Sequence, residues 1–304
     1  MKEYEYKDEA MGTEYSVAII CNSVDLAFKM FELAKNDIQS YENRFSRFKS
    51  DSELSMLNKN KDMKVSATFL DATEKAYELF KRTRGIFNPL VQVERLGYDT
   101  SFKDMKKESD KNDEDWSVYD IDFSETTIDK ENNYIRLNEG QKIDCGGFLK
   151  GYLAEMIAKK IMNSSKDIQG VVVNLGGDIS TEGADENGNN FVFYIYNPIS
   201  KKDDIEITLH NQSLATSGTY KRSWLKAGKK VHHILDASGR QNPKTDIASV
   251  SIIHKDGAYA EAYAKVFLSM DYKDAMKLLD DHEVRFILIK NDGQIIKNIN
   301  ENIS

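Results

Sequence analysis

Six short runs of β-branched and aromatic residues punctuate the chain beyond residue 170. They are Val171–Leu175, Phe191–Tyr196, Ile205–Leu209, Val231–Leu235, Ser249–Ile253 and Val284–Ile289, and each alternates as a strand does. Two amphipathic stretches at helical spacing, Phe148–Met162 and Tyr259–Met270, stand among them, and a third begins near Tyr272. Strand runs mixed with a few long helices predict an α+β fold, a largely antiparallel sheet with helices packed on one face. Earlier in the chain, Glu14–Cys21 puts Tyr15, Val17 and Ile19 on one face and reads as another strand. Ser23 can cap the helix that follows, where Leu26, Met30, Leu33 and Ala34 recur at helical spacing. A second helix is expected from about Ser66, its cap, to Arg84. Phe69, Ala76, Tyr77 and Phe80 line one face of it, and Gly85 stops it.

With 304 residues the chain has length for two small domains. It shows no internal repeat, low-complexity tract or Pro/Gly linker, so one domain over 1–304 is expected, with a charged surface excursion at about 101–116. The net charge of −8 and the scatter of basic residues among acids argue against nucleic acid, which needs clustered Lys and Arg. No apolar run approaches the roughly 18 residues of a membrane span. The opening MKEYEYKDEAMGTEY lacks an apolar signal region, so the expectation is a cytoplasmic protein, or an exported or membrane-associated one if an upstream signal was removed. Two lone cysteines, Cys21 and Cys145, suggest reduced thiols rather than a disulfide, with thiol chemistry at Cys145 a minor alternative.

The strongest local feature is Ile143-Asp144-Cys145-Gly146-Gly147-Phe148-Leu149-Lys150-Gly151. Two glycines before a helix let a ligand approach the backbone, and the helix start offers N–H groups and a positive dipole end to a phosphate. Lys150 in the first turn opposes that dipole, which makes sense beside an anion; the plainer reading is a surface lysine on a strand-to-helix turn. A second pair, Gly176-Gly177 before Asp178, reads as a bulge or tight turn. His232 and His233 lie side by side on a strand run, one expected to point inward and the other to water, with Asp236 three residues on and hence on the opposite face. Glu261 and Lys265, four apart, read most simply as an exposed helical pair.

Taken in order, these segments resemble the FAD:protein FMN transferases (ApbE-like flavin transferases). Met11-Gly12-Thr13 matches the family's MGT, and Arg44-Phe45-Ser46-Arg47-Phe48 with Asp51 to Ser55, Leu57 and Asn58 is similar to its FS-x-(Y/F)…SELSxLN stretch. Gly85-Ile86-Phe87-Asn88-Pro89 resembles G-x-F-(D/N)-P, and Leu96-Gly97-Tyr98 the LGY that follows. Asp144 to Gly151 falls on DLGGxxKG, Thr216-Ser217-Gly218 on TSGDY, His233 to Gly239 on HIIDPxTG, and Ala260 to Lys265 on ADALAT. The resemblance implies a T-fold-like α+β architecture that splits FAD at its pyrophosphate, joins FMN to a threonine of a target flavoprotein and releases AMP. It implies His233 as base, and Met11, Phe48, Phe87, Asn88, Asp144, Lys150 and Leu235 as FAD contacts. Mg²⁺ would be held by the Asp and Thr of ADALAT and by the carbonyl at Gly147.

The chain departs from that pattern at the metal: Glu261 stands for the Asp and Lys265 for the Thr, while Thr219 and Ala237 replace the Asp of TSGDY and the Pro after HIID. Glu261 can still ligate Mg²⁺, but a charged Lys265 cannot. Two expectations follow: Lys265 takes over part of the cation's work as a catalytic point charge, or transfer is lost and FAD binding remains. An FAD pyrophosphatase giving FMN and AMP is a third reading.

Overall fold

Eight strands form one antiparallel sheet in the spatial order Lys2–Ala10, Thr13–Cys21, Ile168–Leu175, Asp178–Gly183, Ser213–Gly218, Ile247–His254, Arg285–Lys290, Ile295–Lys297. The computed structural model describes residues 1–96, 108–109, 120–220, 223–226 and 229–299; the excursion at 101–116, apart from residues 108–109, and Gly97-Tyr98 lie outside the described residues. Six helices are described: α1 Val24–Phe45, α2 Glu53–Asn60, α3 Ala67–Arg82, α4 Leu149–Met162, α5 Gly257–Ser269 and α6 Tyr272–Leu279. None is long and apolar enough to cross a membrane.

Strand alternation decides which side chains meet. Val17 and Ile19 face Val171, Val173, Val250 and Ile252 in one core that also takes the buried faces of α1, α4 and α5. On the opposite face Leu214, Ile253 and Ile287 are covered by a two-stranded hairpin, Phe191–Asn197 with Lys202–Leu209, through Ile195, Ile207 and Leu209. The expected α+β class is therefore observed, with a hairpin on the face the helices leave open. Ser23, Ser66 and Ser52 cap α1, α3 and α2 through their side chains, accepting from Leu26, Phe69 and Ser55. Past α3, Arg84 and Gly85 turn left-handed, at φ 50° and 80°.

Two contacts set the geometry of the site. Gly151 of α4 and Gly257 of α5 cross backbone to backbone: a Cβ on either would sit 2.2 Å from the other's carbonyl oxygen. Only glycine permits that approach, and it places the next turn of α5 against the start of α4. The second contact joins two hairpin turns. Met11-Gly12 (φ 53° and 71°) and Gly176-Gly177 (φ 68° and 103°) both take the positive-φ pairs that match strand twist. They touch, since a Cβ on Gly176 would meet Thr13 Oγ1 at 2.6 Å. Gly176-Gly177 is thus a tight turn, as its sequence suggested.

Several elements differ from expectation. The charged strand Lys2–Ala10 exists because its neighbour Thr13–Cys21 supplies a full ladder. Asp178–Gly183 and Ser213–Gly218 are polar strands in the middle of the sheet. The strand expected over Val231–Leu235 stops at His232. There the Asn242 side chain replaces a strand partner, accepting from the His232 N–H at 3.0 Å and donating to the carbonyls of His232 and Ile234 at 2.6 Å each.

Candidate active site

The α4 start, the Met11-Gly12 turn, the segment 46–49, the turn 86–88 and the segment 233–235 enclose a cavity of about 440 Å³. One wall is apolar. Phe87 is buried edge-on to Phe148, with ring centroids 6.1 Å apart, and presses on Gly147. Leu235 packs with Trp224, Val91 and Val93. Phe48 is half exposed, and the Arg47 guanidinium lies 4.7 Å from its ring centre. A rim ring with a free face can stack on a flat heterocycle.

The floor is polar. Asp144 accepts from the Gly146 N–H at 2.8 Å and lies 3.8 Å from Arg47, while its own N–H donates to the Pro89 carbonyl at 2.7 Å. Asn58 braces the same turn by exchanging two 2.8 Å hydrogen bonds with the Ile143 backbone. Asn88 reaches the lining, but its side chain is committed to backbone, donating to Ile121 O and accepting from Leu90 N. Met11 lines the cavity through its turn, and its N–H donates to Glu42 at 3.1 Å.

At the α4 start four charges are interlocked. Lys150 Nζ donates to Glu261 Oε1 at 3.0 Å and to Asp178 Oδ2. Lys265 Nζ donates to the same Glu261 Oε1 at 3.3 Å and to the Glu261 carbonyl at 3.2 Å. Glu261 Oε2 accepts the Gly151 N–H at 3.0 Å. Phe148, at the N-cap of α4, supplies no capping side chain, so Glu261 of the neighbouring helix does that work. Lys150 and Lys265 face the cavity; Glu261 and Asp178 are buried behind them. Burial works to raise the Glu261 carboxyl, but Lys150, Lys265 and the Gly151 N–H hold it below its usual range. Asp178 moves the other way: burial and the nearby Glu261 charge raise it against the pull of Lys150. Burial also lowers Lys265, opposed by Glu261.

Ten of the eleven residues expected at a site line this one cavity, namely Met11, Phe48, Phe87, Asn88, Asp144, Gly147, Lys150, His233, Leu235 and Lys265, while Glu261 stands behind the wall.

 Three expectations need correction. Glu261 and Lys265 do pair, but Glu261 is 2% exposed, because the Gly151–Gly257 crossing buries that face of α5. Lys150 is not a surface lysine; its anions are Asp178 and Glu261. His232 and His233 are both half-buried, so neither simply faces water. Cys145 is buried, and burial with the Asp144 charge pushes its thiol well above the usual range, which disfavours the thiolate that such chemistry needs. Asp236 spends Oδ1 on the Ser238 N–H and hydroxyl, closing a turn. Asp178 and Arg47 were not assigned roles from sequence. The signal for Asp178 was a carboxylate directly after a two-glycine turn, and for Arg47 a guanidinium beside the aromatic of the rim.

The sequence profile described as "ApbE family" matches residues 11–288. The chain belongs to the ApbE family. Among relatives, the FAD:protein FMN transferase of Chlamydia pneumoniae is 26% identical over 300 residues, covering 93% of this chain and 87% of that one. The protein of the same name from Buchnera aphidicola subsp. Baizongia pistaciae is 22% identical over 292 residues, covering 93% and 84%. Of solved structures, the ApbE protein of Thermotoga maritima superimposes with a TM-score of 0.82 at 22% identity, covering 97% of each chain. The apo flavinyl transferase ApbE of Pseudomonas stutzeri gives 0.81 at 16% identity, covering 97% of this chain and 94% of that one.

The ApbE resemblance implied a Mg²⁺ ion at Glu261, the residue at 265 and the Gly147 carbonyl. The side chains present do not fit it. Mg²⁺ demands oxygen ligands in near-octahedral array. Here position 265 brings an ammonium, both Glu261 oxygens already accept hydrogen bonds, and Asp178 is held by Lys150.

Proposed function

We propose that this ApbE-family chain is an FAD:protein FMN transferase, which splits FAD and joins FMN by a phosphoester to a threonine of a target flavoprotein. The observation that carries the reading is the meeting, in one cavity, of an apolar aromatic wall, a lysine-bearing helix start and His233. The wall of Phe48, Phe87 and Leu235 suits the flavin ring. The start of α4 with Lys150 and Lys265 suits the pyrophosphate, where backbone N–H groups and ammonium ions neutralise developing charge. The threonine Oγ attacks the phosphorus of the FMN half and its proton passes to His233. The bond from that phosphorus to the bridging oxygen breaks, and AMP departs with the electron pair. Positioning and charge neutralisation carry most of such a transfer.

The test is incubation of the purified protein with FAD, with and without a flavoprotein domain bearing an acceptor threonine. FMN found covalently on that domain, with one AMP released per flavin attached, is the expected result. AMP and free FMN without acceptor would make the protein a pyrophosphatase, and bound but intact FAD would make it a binding protein. His233→Ala should slow transfer about 10²- to 10⁴-fold while leaving FAD affinity in place; undiminished transfer removes His233 from the base role.

A further inference from the structure

We infer that the Lys265 ammonium takes the place of a divalent cation at the pyrophosphate, so that flavin transfer by this chain is independent of metal; this rests on the transferase reading above. Three observations carry it. First, the carboxylates are already neutralised. Glu261 Oε1 accepts from two ammonium groups, at 3.0 and 3.3 Å, and Glu261 Oε2 caps α4 through the Gly151 N–H at 3.0 Å. Asp178 is paired with Lys150. A metal at Glu261 would have to displace ammonium ions and leave them buried beside its own positive charge, an arrangement that costs heavily in a low-dielectric site.

Second, the ammonium is placed where the charge is needed. A Cβ built on Gly147 would lie 3.5 Å from Lys265 Cε, so the end of the lysine runs along the Gly-Gly turn at the α4 start. Lys265 lines the cavity, as do Lys150 and Gly147. Third, the two lysines together bring the same formal charge as one divalent ion, held by two buried carboxylates as an ion would be. Of the three N–H donors on Lys265, Glu261 takes two through its carbonyl and carboxylate, which fixes the side chain and leaves a donor for a phosphate oxygen. Unlike an exchangeable ion, this charge is part of the chain. In the transfer step it does not enter the bonding: the threonine oxygen to phosphorus bond forms, the bridging bond breaks, and Lys265 stabilises the negative charge on the phosphate oxygens.

The experiment has three arms on the full chain. Transfer of FMN from FAD to the acceptor domain is followed in excess EDTA and in added Mg²⁺. Binding of Mn²⁺, a spectroscopically visible substitute for Mg²⁺, is titrated by calorimetry with FAD present. Affinities for FAD and for riboflavin, which lacks phosphate, are compared in the parent and in Lys265→Met, with Lys265→Arg as the charge-retaining control and circular dichroism to verify folding. Expected are equal rates in EDTA and Mg²⁺, no Mn²⁺ heat, and FAD affinity lower by about ten- to a hundredfold in Lys265→Met, with riboflavin unchanged and Lys265→Arg close to the parent. Loss of transfer in EDTA with recovery in Mg²⁺, or stoichiometric Mn²⁺ binding, overturns the inference and leaves the transferase reading standing. If Lys265→Met does not fold, the EDTA and Mn²⁺ arms decide alone. No transfer under either condition, with FAD bound, sinks the transferase reading and this inference with it.

Discussion

Helix α5 joins two ionic clusters that differ in purpose, one sunk behind the cavity wall and one reaching the surface through Arg82 and Glu78. On one face, Glu261 and Lys265 meet Lys150 and Asp178 with no neutral hydroxyl between the charges, and two of the four groups open onto the cavity. On another face, Tyr259 and Tyr263 place hydroxyls among the charges. Tyr263 accepts from Arg82 Nε at 3.1 Å and donates to Asp281 at 3.3 Å, and Tyr259 donates to Glu78 at 2.5 Å. Arg82 and His254 complete that side on Asp281, at 3.2 and 3.4 Å, and none of these residues lines the cavity. The tyrosine cluster ties α3 to α5 and to the turn after α6. The lysine cluster holds its cations at the edge of a ligand space, where an incoming anion can use them. An ionic network is thus structural or functional according to where its cations point.

The largest expected effect comes from removing the shared anion of the lysine cluster. Glu261→Gln leaves Lys150 and Lys265 without their common carboxylate and puts an amide where α4 needs a capping acceptor. A buried pair broken on one side costs roughly 3–5 kcal/mol, so the thermal midpoint should fall sharply and FAD binding with it. A variant that melts like the parent would show that the four charges do not act as one unit.

Next in size is the crossing that brings the cluster together. Gly151→Ala drives a Cβ into the Gly257 carbonyl at 2.2 Å, and backbone cannot rotate out of the way as a side chain can. Overpacking of this kind costs about 3 kcal/mol at the upper end of its usual range. The helices must part, Glu261 Oε2 loses the Gly151 N–H, and both stability and FAD affinity should drop. Tyr263→Phe, by contrast, removes one hydroxyl from the tyrosine cluster. Unfolding by urea should show a loss of about 1–2 kcal/mol, from the buried Asp281 carboxylate left short of one partner. FAD affinity should stay at the parent value; a fall would mean that the two faces of α5 are coupled.

These contrasts mark what the sequence could and could not convey. Helices α4 and α5 and the strands at 168–175 and 247–254 were legible, because helical apolar spacing and runs of β-branched residues mark elements that pack into a core. The cavity residues were legible as ordered segments similar to a family, and that order alone groups Phe48, Phe87, Asp144 and His233 at one site. Spacing also told that Glu261 and Lys265 share a face of α5. It could not tell that this face meets another helix rather than water, because that depends on a glycine-to-glycine contact between residues 151 and 257, more than a hundred positions apart. Asp178–Gly183 and Ser213–Gly218 escaped for a related reason. Their serines and threonines carry no apolar alternation, and it is the neighbouring strands that make them sheet. Asn242 ending the strand at His232 is likewise a contact across a loop, invisible to periodicity.

The smallest effect tests whether distance or surroundings gives an ion pair its weight. Lys255 and Glu283 approach to 2.7 Å, closer than Lys265 and Glu261 at 3.3 Å, yet the first pair is 66% and 56% exposed and the second 21% and 3%. Water and salt screen the exposed pair, and its long side chains surrender entropy to hold one geometry, so its short distance contributes little. Glu283→Gln should therefore leave the thermal midpoint where it is, at low and at high salt alike, although it removes the tighter contact. A clear drop at low salt that disappears at high salt would mean that Glu283 acts beyond Lys255, through His254 Nε2 at 3.9 Å, and that the tyrosine cluster extends further toward the surface than its hydrogen bonds indicate. An unchanged midpoint would place the boundary of that cluster at Asp281, the last carboxylate in it that is held by buried partners.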